Sequence, residues 1–424
     1  MKMTGKTMTA PSQTEVLNLR GNFSGAMDET EPLAARSFDR MVADVRVGTR
    51  SRVGVTVHLT MAEAEIAWRA FEAEAVGLGF QSFDWLKAWY TQVGEADGVE
   101  PAIAIASLDG VPVMLAPFGI ERRYGQRCLV WLGGRFADYK APMLARDFET
   151  QVSPDLFVSM WEKIRRHLPA HDFIALENQP SHIGLSINPF ASLAGELAPD
   201  DGYVFPLPST YDEFSQGFRP ETRRADRAKE RKLEVMGRVE FKIAETADEA
   251  RLMVADILDR KATQLRAQGI SSIFEDAGYR AAYVTLAALP PKRKMLQVAM
   301  LTLNGEFLSG SIAHFRQGHM TLMVHTYEHA FARLSPGRLH LLKLIKESIA
   351  EGHTIYDLSV GYAAYKDSFC DEAMPLSNYV VAAKPWGLAA ASAERAKLGL
   401  KRRVKDNNTL MGWLRGWRQR FASA

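Results

Sequence analysis

Apolar and polar positions alternate at Val53, Val55 and Val57, the period of a strand. Behind Thr60, a residue suited to an N-cap, the spacing becomes helical through Ile66, Trp68 and Phe71. Trp85, Leu86 and Trp89 continue in helical register. Apolar runs over 102–108 and 111–120 flank Asp109-Gly110, a pair that favours a tight hairpin because both positions tolerate positive φ. A strand over 128–132 leads into Gly133-Gly134 and the loop 136–140, and a helix over 154–167 precedes a strand over 172–177. The first half thus reads helix, hairpin, strand, helix, strand.

The same order returns further on. Helices are expected over 219–236 and 247–267, strands over 295–303 and 306–315 around Asn304-Gly305, a strand over 320–326, a helix over 337–351 and a strand over 354–359. Repetition of one order, in a chain too long for a single ordinary core, predicts two similar α/β domains with mixed sheets. Their expected bounds are 51–204 and 205–385. Residues 1–50 have low hydrophobicity and no sustained period, so disorder is expected there, with a short helix over 31–45. Residues 386–424 read as a basic helical tail. It is Ala- and Lys/Arg-rich over 389–403, then places Leu410, Trp413, Leu414, Trp417 and Phe421 on one side, with Arg415, Arg418 and Arg420 elsewhere. Such a tail suits an anionic membrane surface, a partner groove or packing back on the second domain, and its Arg side chains also suit a cyclic dinucleotide.

Composition narrows the function classes. Apolar residues make up 47% and charged residues 24%, the balance of a globular protein. With 52 Lys and Arg against 50 Asp and Glu, the net charge of +2 gives no global reason to expect DNA as a partner. Cys128 and Cys370, one in each half, are too far apart in sequence and too poor in neighbouring ligands for a disulfide framework or a metal site. Neither a secretory apolar segment nor a membrane-length apolar stretch occurs, so a cytoplasmic protein is expected, with peripheral contact at the inner membrane face through the tail.

Two segments carry candidate chemistry. Arg333-Leu334-Ser335-Pro336-Gly337-Arg338 joins a strand to a long helix, and exposed amides at such a junction hold phosphate. An ordinary strand-to-helix turn would have the same composition. Asp357 ends an apolar strand, with Gly361 and Tyr365-Lys366 just behind it. An acid, a phenol and an ammonium group at a strand end can serve one ligand, although Asp357 could equally cap a turn and Lys366 be a surface cation. The helix over 219–232 is rich in Arg, including Arg223 and Arg227, but interleaves acids at pairing distance. It is read either as a solvated face or as a site for a phosphate-bearing ligand. His314, His319, His325 and His329 gather around one hairpin, where hydrogen-bonded structural roles compete with a proton shuttle.

Taken in order, the blocks Phe80-Gln81-Ser82-Phe83-Asp84-Trp85-Leu86, Leu132-Gly133-Gly134-Arg135-Phe136-Ala137-Asp138-Tyr139, Ser335-Pro336-Gly337, and Asp357 with Gly361 and Tyr365-Lys366 resemble the CelD/BcsL family of GNAT-type acyltransferases. The resemblance spans about 53–384. It implies two tandem GNAT-like acyl-CoA N-acyltransferase domains related to Fem-type peptidyltransferases, with acyl transfer from acetyl-CoA or another acyl-CoA; no metal is expected, because no HxxxH pair sits on a helix. Asp357, Tyr365 and Lys366 become the catalytic candidates. Arg333, Ser335, Gly337 and Arg338 are placed on the donor, and Asp138, Tyr139, Arg223, Arg227 and His325 on the substrate. The acceptor implied is a sugar-containing small molecule or a lipid-linked precursor in exopolysaccharide or cellulose synthesis. The donor loop departs from the usual GNAT pattern, having Pro336 before a single Gly337 and Leu339 where a small residue is usual. That departure keeps two alternatives in play: a Fem-type transferase using aminoacyl-tRNA, and a non-catalytic scaffold of a polysaccharide synthesis complex.

Overall fold

A computed structural model of the chain describes residues 52–193, 195–290 and 293–406. The segment 1–50, with its expected helix, and the tail positions from Leu410 to Phe421 lie outside the described residues.

In the first half, β1 (Val53–His58) is followed by α1 (Met61–Glu74), α2 (Phe83–Trp89) and the meander β2 (Glu100–Leu108), β3 (Val111–Arg123) and β4 (Gln126–Trp131). Helix α3 (Pro154–His167) then leads to β5 (Phe173–Pro180). Helices α1 and α3 start where the sequence supplies caps: Thr60 Oγ1 accepts the Glu63 amide and Ser153 Oγ accepts that of Leu156, with Pro154 in the first turn. The second half opens with β6 (Gly202–Pro206), α4 (Pro220–Met236), β7 (Val239–Ile243), α5 (Ala247–Ala267) and α6 (Ala277–Ala287). Its meander is β8 (Leu296–Leu303), β9 (Glu306–Arg316) and β10 (His319–Tyr327), followed by α7 (Pro336–Ala350), β11 (Ile355–Val360), β12 (Leu376–Ala382) and α8 (Leu388–Asp406). The repeated order of meander, helix and returning strand is therefore present in both halves.

Each returning strand lies parallel to the last strand of its meander, β5 beside β4 and β11 beside β10. The first sheet runs β1-β2-β3-β4-β5-β12 and ends on the short strand Glu196–Leu197, while Met143–Leu144 pairs with β3. The second runs β6-β11-β10-β9-β8-β7. Two strands change sides: β12 pairs antiparallel with β5, and β6 pairs antiparallel with β11. The division expected at residue 204 thus separates the meanders and helices but cuts through both sheets. β6 belongs to the second sheet although it starts before that boundary. β12 completes the first sheet although it follows the second meander.

Further contacts bind the halves. The Arg316 guanidinium donates to the Glu72 carboxylate at 3.1 Å and to the carbonyls of Glu72 and Gly77, and Gln317 donates to the Ala75 carbonyl. One apolar core runs from Trp68, Phe83 and Trp85 to Ile257, Tyr283 and Ile312. Helix α8 packs back on the first sheet, not on the second domain. Ala390, Ala391 and Leu398 bury against Phe173, Ala175 and Val380, and the buried Glu394 accepts from Arg123 and from the Tyr124 hydroxyl. Among the described residues, no helix is long and apolar enough to cross a membrane.

Because each sheet needs a strand from across the boundary, residues 52–204 and 205–424 expressed separately are expected to be insoluble or to melt without cooperativity in circular dichroism. A cooperative transition from either fragment would contradict the exchange as a folding requirement.

Candidate active site

β10 and β11 pair over only three residue pairs, His319 with Ile355, Met320 with Tyr356 and Thr321 with Asp357, and then part. Beyond that point the facing edges carry backbone amides and carbonyls with no partner strand. A bulge on β10, where Ile312 faces Val324 and Ala313 faces Leu322, resets the side-chain alternation, so that Leu322 and His325 both turn towards α7. The N-terminus of α7 closes one end of the gap. A Cβ on Gly337 would lie 3.2 Å from the rings of His325 and Tyr327, so glycine lets the helix approach them without crowding.

The junction before α7 is held open. Ser335 adopts a left-handed conformation, φ 51°, and does not cap the helix with its side chain; its Oγ instead accepts from Lys229 Nζ at 2.8 Å. Pro336 has no amide, which leaves those of Gly337 and Arg338 in the first turn without an intrahelical acceptor. Two amides and an ammonium group at a helix N-terminus suit a phosphate. Arg333 is exposed beside this junction. Arg338 is engaged elsewhere. Its Nε lies 3.0 Å from both carboxylate oxygens of Asp226 on α4, and Nη1 donates to Ser368 at 3.0 Å. Its guanidinium ties α4 to α7 and to the segment behind β11, so its charge is already matched.

Asp357 sits where the strands part, with no exposed surface. Oδ1 accepts the Tyr139 hydroxyl at 2.9 Å and the Ser359 amide at 2.6 Å, while Oδ2 lies 3.2 Å from His319 Nε2. Both oxygens of the expected base are thus engaged within the protein, and these bonds fix the end of β11. Burial and the neighbouring acid hold the Tyr139 phenol well above its usual range, so it stays a donor. Gly202 of β6 makes room for it, since a Cβ there would meet the Tyr139 hydroxyl at 2.6 Å. Lys366, only 4% exposed, donates to the carbonyls of Ser359, Val360 and Gly361 at 3.0, 3.2 and 2.8 Å. Burial lowers its pKa to about 8, opposed by Asp357 and Asp138. It clamps the turn that ends β11 and is not the surface cation that its sequence position allows.

Tyr365 is the member of that segment left accessible. It is 39% exposed and its ring lies 6.3 Å from that of His325, so it reaches from the β11 side of the gap to the β10 side. Burial of part of the ring pushes its phenol up to about 12. His325 is hydrogen-bonded to Ser309 at 3.2 Å and stacks near His340, which in turn contacts Ser311 at 2.9 Å. Burial depresses His325 to about 3 and holds His340 well below its usual range, so both rings are neutral structural groups. Arg223 and Arg227 of α4 line a separate cleft of about 500 Å³ with Lys343, Lys346, Asp226 and Glu230. Asp138 and Tyr139 do not line this cleft; they bond to Ser359 and Asp357 of β11. The sequence carries no signal for Ser359 as a contact of Asp138, or for Lys229 at the α7 junction.

Residues 220–367 match the family described as Acetyltransferase (GNAT) domain, about a third of the chain. The matched segment contains the parted strands and the N-terminus of α7, in a fold of GNAT type. No curated protein matches the chain. Among solved structures, FemX is 11% identical and superposes over 77% of this chain and 97% of its own with a TM-score of 0.53, so the two share a fold. A conserved protein of unknown function from Bacteroides thetaiotaomicron is also similar, at 11% identity, 78% and 99% coverage and a TM-score of 0.47. A tandem GNAT protein from the clavulanic acid biosynthesis pathway matches at 9% identity, 79% and 99% coverage and a TM-score of 0.40.

Two measurements check the site as built. Tyr139→Phe leaves a buried carboxylate oxygen short of a donor and is expected to cost about 1–3 kcal/mol in urea denaturation. His314 and His325 are both held near pKa 3 by burial, against 6.5 when unfolded. Between those values the unfolded chain binds more protons, so their contribution to stability is complete above about pH 6.5 and is lost as pH falls towards 3. The urea midpoint should drop through this window, and His314→Phe should shallow the drop.

Proposed function

We propose that the chain is an acyltransferase that takes its acyl group from an acyl-CoA bound along the second half. The observation that carries this reading is the parting of β10 and β11 beneath an uncapped helix N-terminus. The amides of Gly337 and Arg338, with Lys229, are suited to the donor's diphosphate. The β10 edge beyond Thr321, which has no partner strand there, offers backbone groups to the amide-bearing arm that ends in the thioester, as a sheet edge does for an added strand. Amides on the β10 edge can stabilise the oxyanion that forms when the thioester carbonyl is attacked. Tyr365, protonated and accessible, is suited to donate a hydrogen bond to the leaving thiolate. Asp357 and Lys366 fix the β11 side of the gap against which these groups are aligned.

The acceptor we propose is an amine or hydroxyl on a sugar-containing molecule of bacterial exopolysaccharide or cellulose synthesis, free or lipid-linked. Its support is the resemblance of the ordered blocks around Trp85, Asp138, Gly337 and Lys366 to the CelD/BcsL family. The likeness of fold to FemX favours testing aminoacyl-tRNA as the competing donor.

Calorimetric titration of the full chain with acetyl-CoA should give saturable binding, and extracts containing sugar acceptors should release free thiol. Lys229→Ala is expected to weaken acetyl-CoA binding about tenfold, the effect of one charge-assisted contact to phosphate. Gly337→Val, which fills the space beside His325 and Tyr327, should weaken it further while the melting temperature reports any loss of fold. Absence of thioester binding in the unaltered chain, together with RNase-sensitive transfer from aminoacyl-tRNA, would overturn the acyl-CoA reading.

A further inference from the structure

The first half repeats the parting of strands that marks the second. β4 and β5 pair only through Cys128 with Phe173 and Leu129 with Ile174. At their separation lies a cleft of about 650 Å³ whose wall includes Asp138, Lys140, Arg123, Glu177, Trp89 and Tyr279. The polar groups of this cleft differ sharply in how far they are satisfied.

Arg123 is saturated. It pairs with Glu121 and Glu177 and lies 3.1 Å from the buried Glu394 of α8. Lys140 and Asp138 are not. The Lys140 backbone is pinned by its amide to the Asn178 carbonyl at 3.0 Å, yet its ammonium has no hydrogen-bond partner among the described residues, and burial lowers its pKa. Asp138 uses one oxygen, Oδ2, to accept the Ser359 hydroxyl, and Oδ1 has no partner among the described residues. An ammonium and a carboxylate oxygen two residues apart, both on half-buried side chains, thus line one cleft with their hydrogen-bonding capacity open to a ligand.

Asp138 also joins the two sites. Ser359, which it holds, lies on β11 two residues beyond the point where the second half opens, and its amide is bonded to Asp357. The cleft of the first half therefore meets the gap of the second at Asp138.

Resting on the acyltransferase reading, we propose that this cleft holds the acceptor and that Asp138 is the catalytic base of the transfer. Oδ1 accepts the proton of the attacking amine or hydroxyl as its nitrogen or oxygen bonds to the thioester carbon. The carbon–sulfur bond then breaks, the sulfur leaves with the electron pair as thiolate, and the proton passes by way of solvent from Asp138 to the sulfur, which restores the carboxylate. Lys140 holds an anionic oxygen, carboxylate or phosphate, on the same acceptor. The ligand class is a small polar molecule that carries a nucleophilic amine or hydroxyl together with an anionic group. Burial raises Asp138 to about 6, with Asp357 adding to the rise and Ser359, Lys366 and Lys140 opposing it, so the carboxylate is the prevailing form at neutral pH.

The test uses the full chain, acetyl-CoA as donor, and glucosamine, glucosamine 6-phosphate and glucuronic acid as probes, with binding followed by calorimetry and turnover by thiol release. Asp138→Asn should lower kcat about a hundredfold, the lower range for loss of a general base. It should also abolish the rise of kcat/KM through about pH 6 and leave acetyl-CoA affinity within twofold. Lys140→Met should raise KM about tenfold for the anionic probes and leave that for glucosamine unchanged; whichever of the two anionic probes responds more identifies carboxylate or phosphate. The proposal is overturned if Asp138→Asn keeps its turnover and its pH limb, if none of the probes binds or is acylated, or if both variants lose acetyl-CoA affinity in step with turnover. Failure of the unaltered chain to bind acetyl-CoA is a separate outcome, which overturns the acyltransferase reading itself.

Discussion

A carboxylate with no exposed surface needs hydrogen-bond donors in place of the water it has lost. For Asp357 one donor comes from its own strand, through the Ser359 amide, and another from 218 positions away, the hydroxyl of Tyr139. The end of β11, the Lys366 clamp on the following turn and the contact between Ser359 and Asp138 all rest on that arrangement. The second half cannot shape its gap without the first. Three backbone carbonyls gathered on one ammonium, and a left-handed Ser359 at φ 63°, show how tightly this turn is constrained.

The exchange of β6 and β12 gives the same interdependence at the level of sheets. Each strand occupies the same place relative to its neighbour, antiparallel beside the returning parallel strand, but in the opposite half. The duplication legible in the order of elements is therefore preserved in architecture while its products are interlocked. Helix α8 adds to this by burying Glu394 against Arg123 and Tyr124, so a helix near the C-terminus contributes to the wall behind the first-half cleft.

Local signals in the sequence are legible where local physics decides. Asp109-Gly110 and Asn304-Gly305 both adopt positive φ at both positions, the conformation that pair of residues tolerates in a hairpin. Tyr124-Gly125 and Gln317-Gly318 do the same without an Asn or Asp to announce them. β12 has no comparable local signal, because Leu376–Ala382 is placed by its partner β5, roughly two hundred residues before it, and not by its own alternation. The site divides along the same line. Asp357, Tyr139 and Gly337 stand out through their order along the chain. Which oxygen meets which donor, that Arg338 is spent on Asp226, and that Lys366 binds carbonyls are facts of three-dimensional neighbourhood that spacing does not encode.

The place of β12 also sets an order of events on the ribosome. When β5 has emerged, its outer edge presents unpaired amides and carbonyls, and its partner is not made until the entire second meander has been synthesised. Such a long-range closure is slow compared with the local hairpins that precede it. The nascent first half must persist with an open sheet edge while roughly two hundred further residues are made, a window in which a chaperone would have the most to protect.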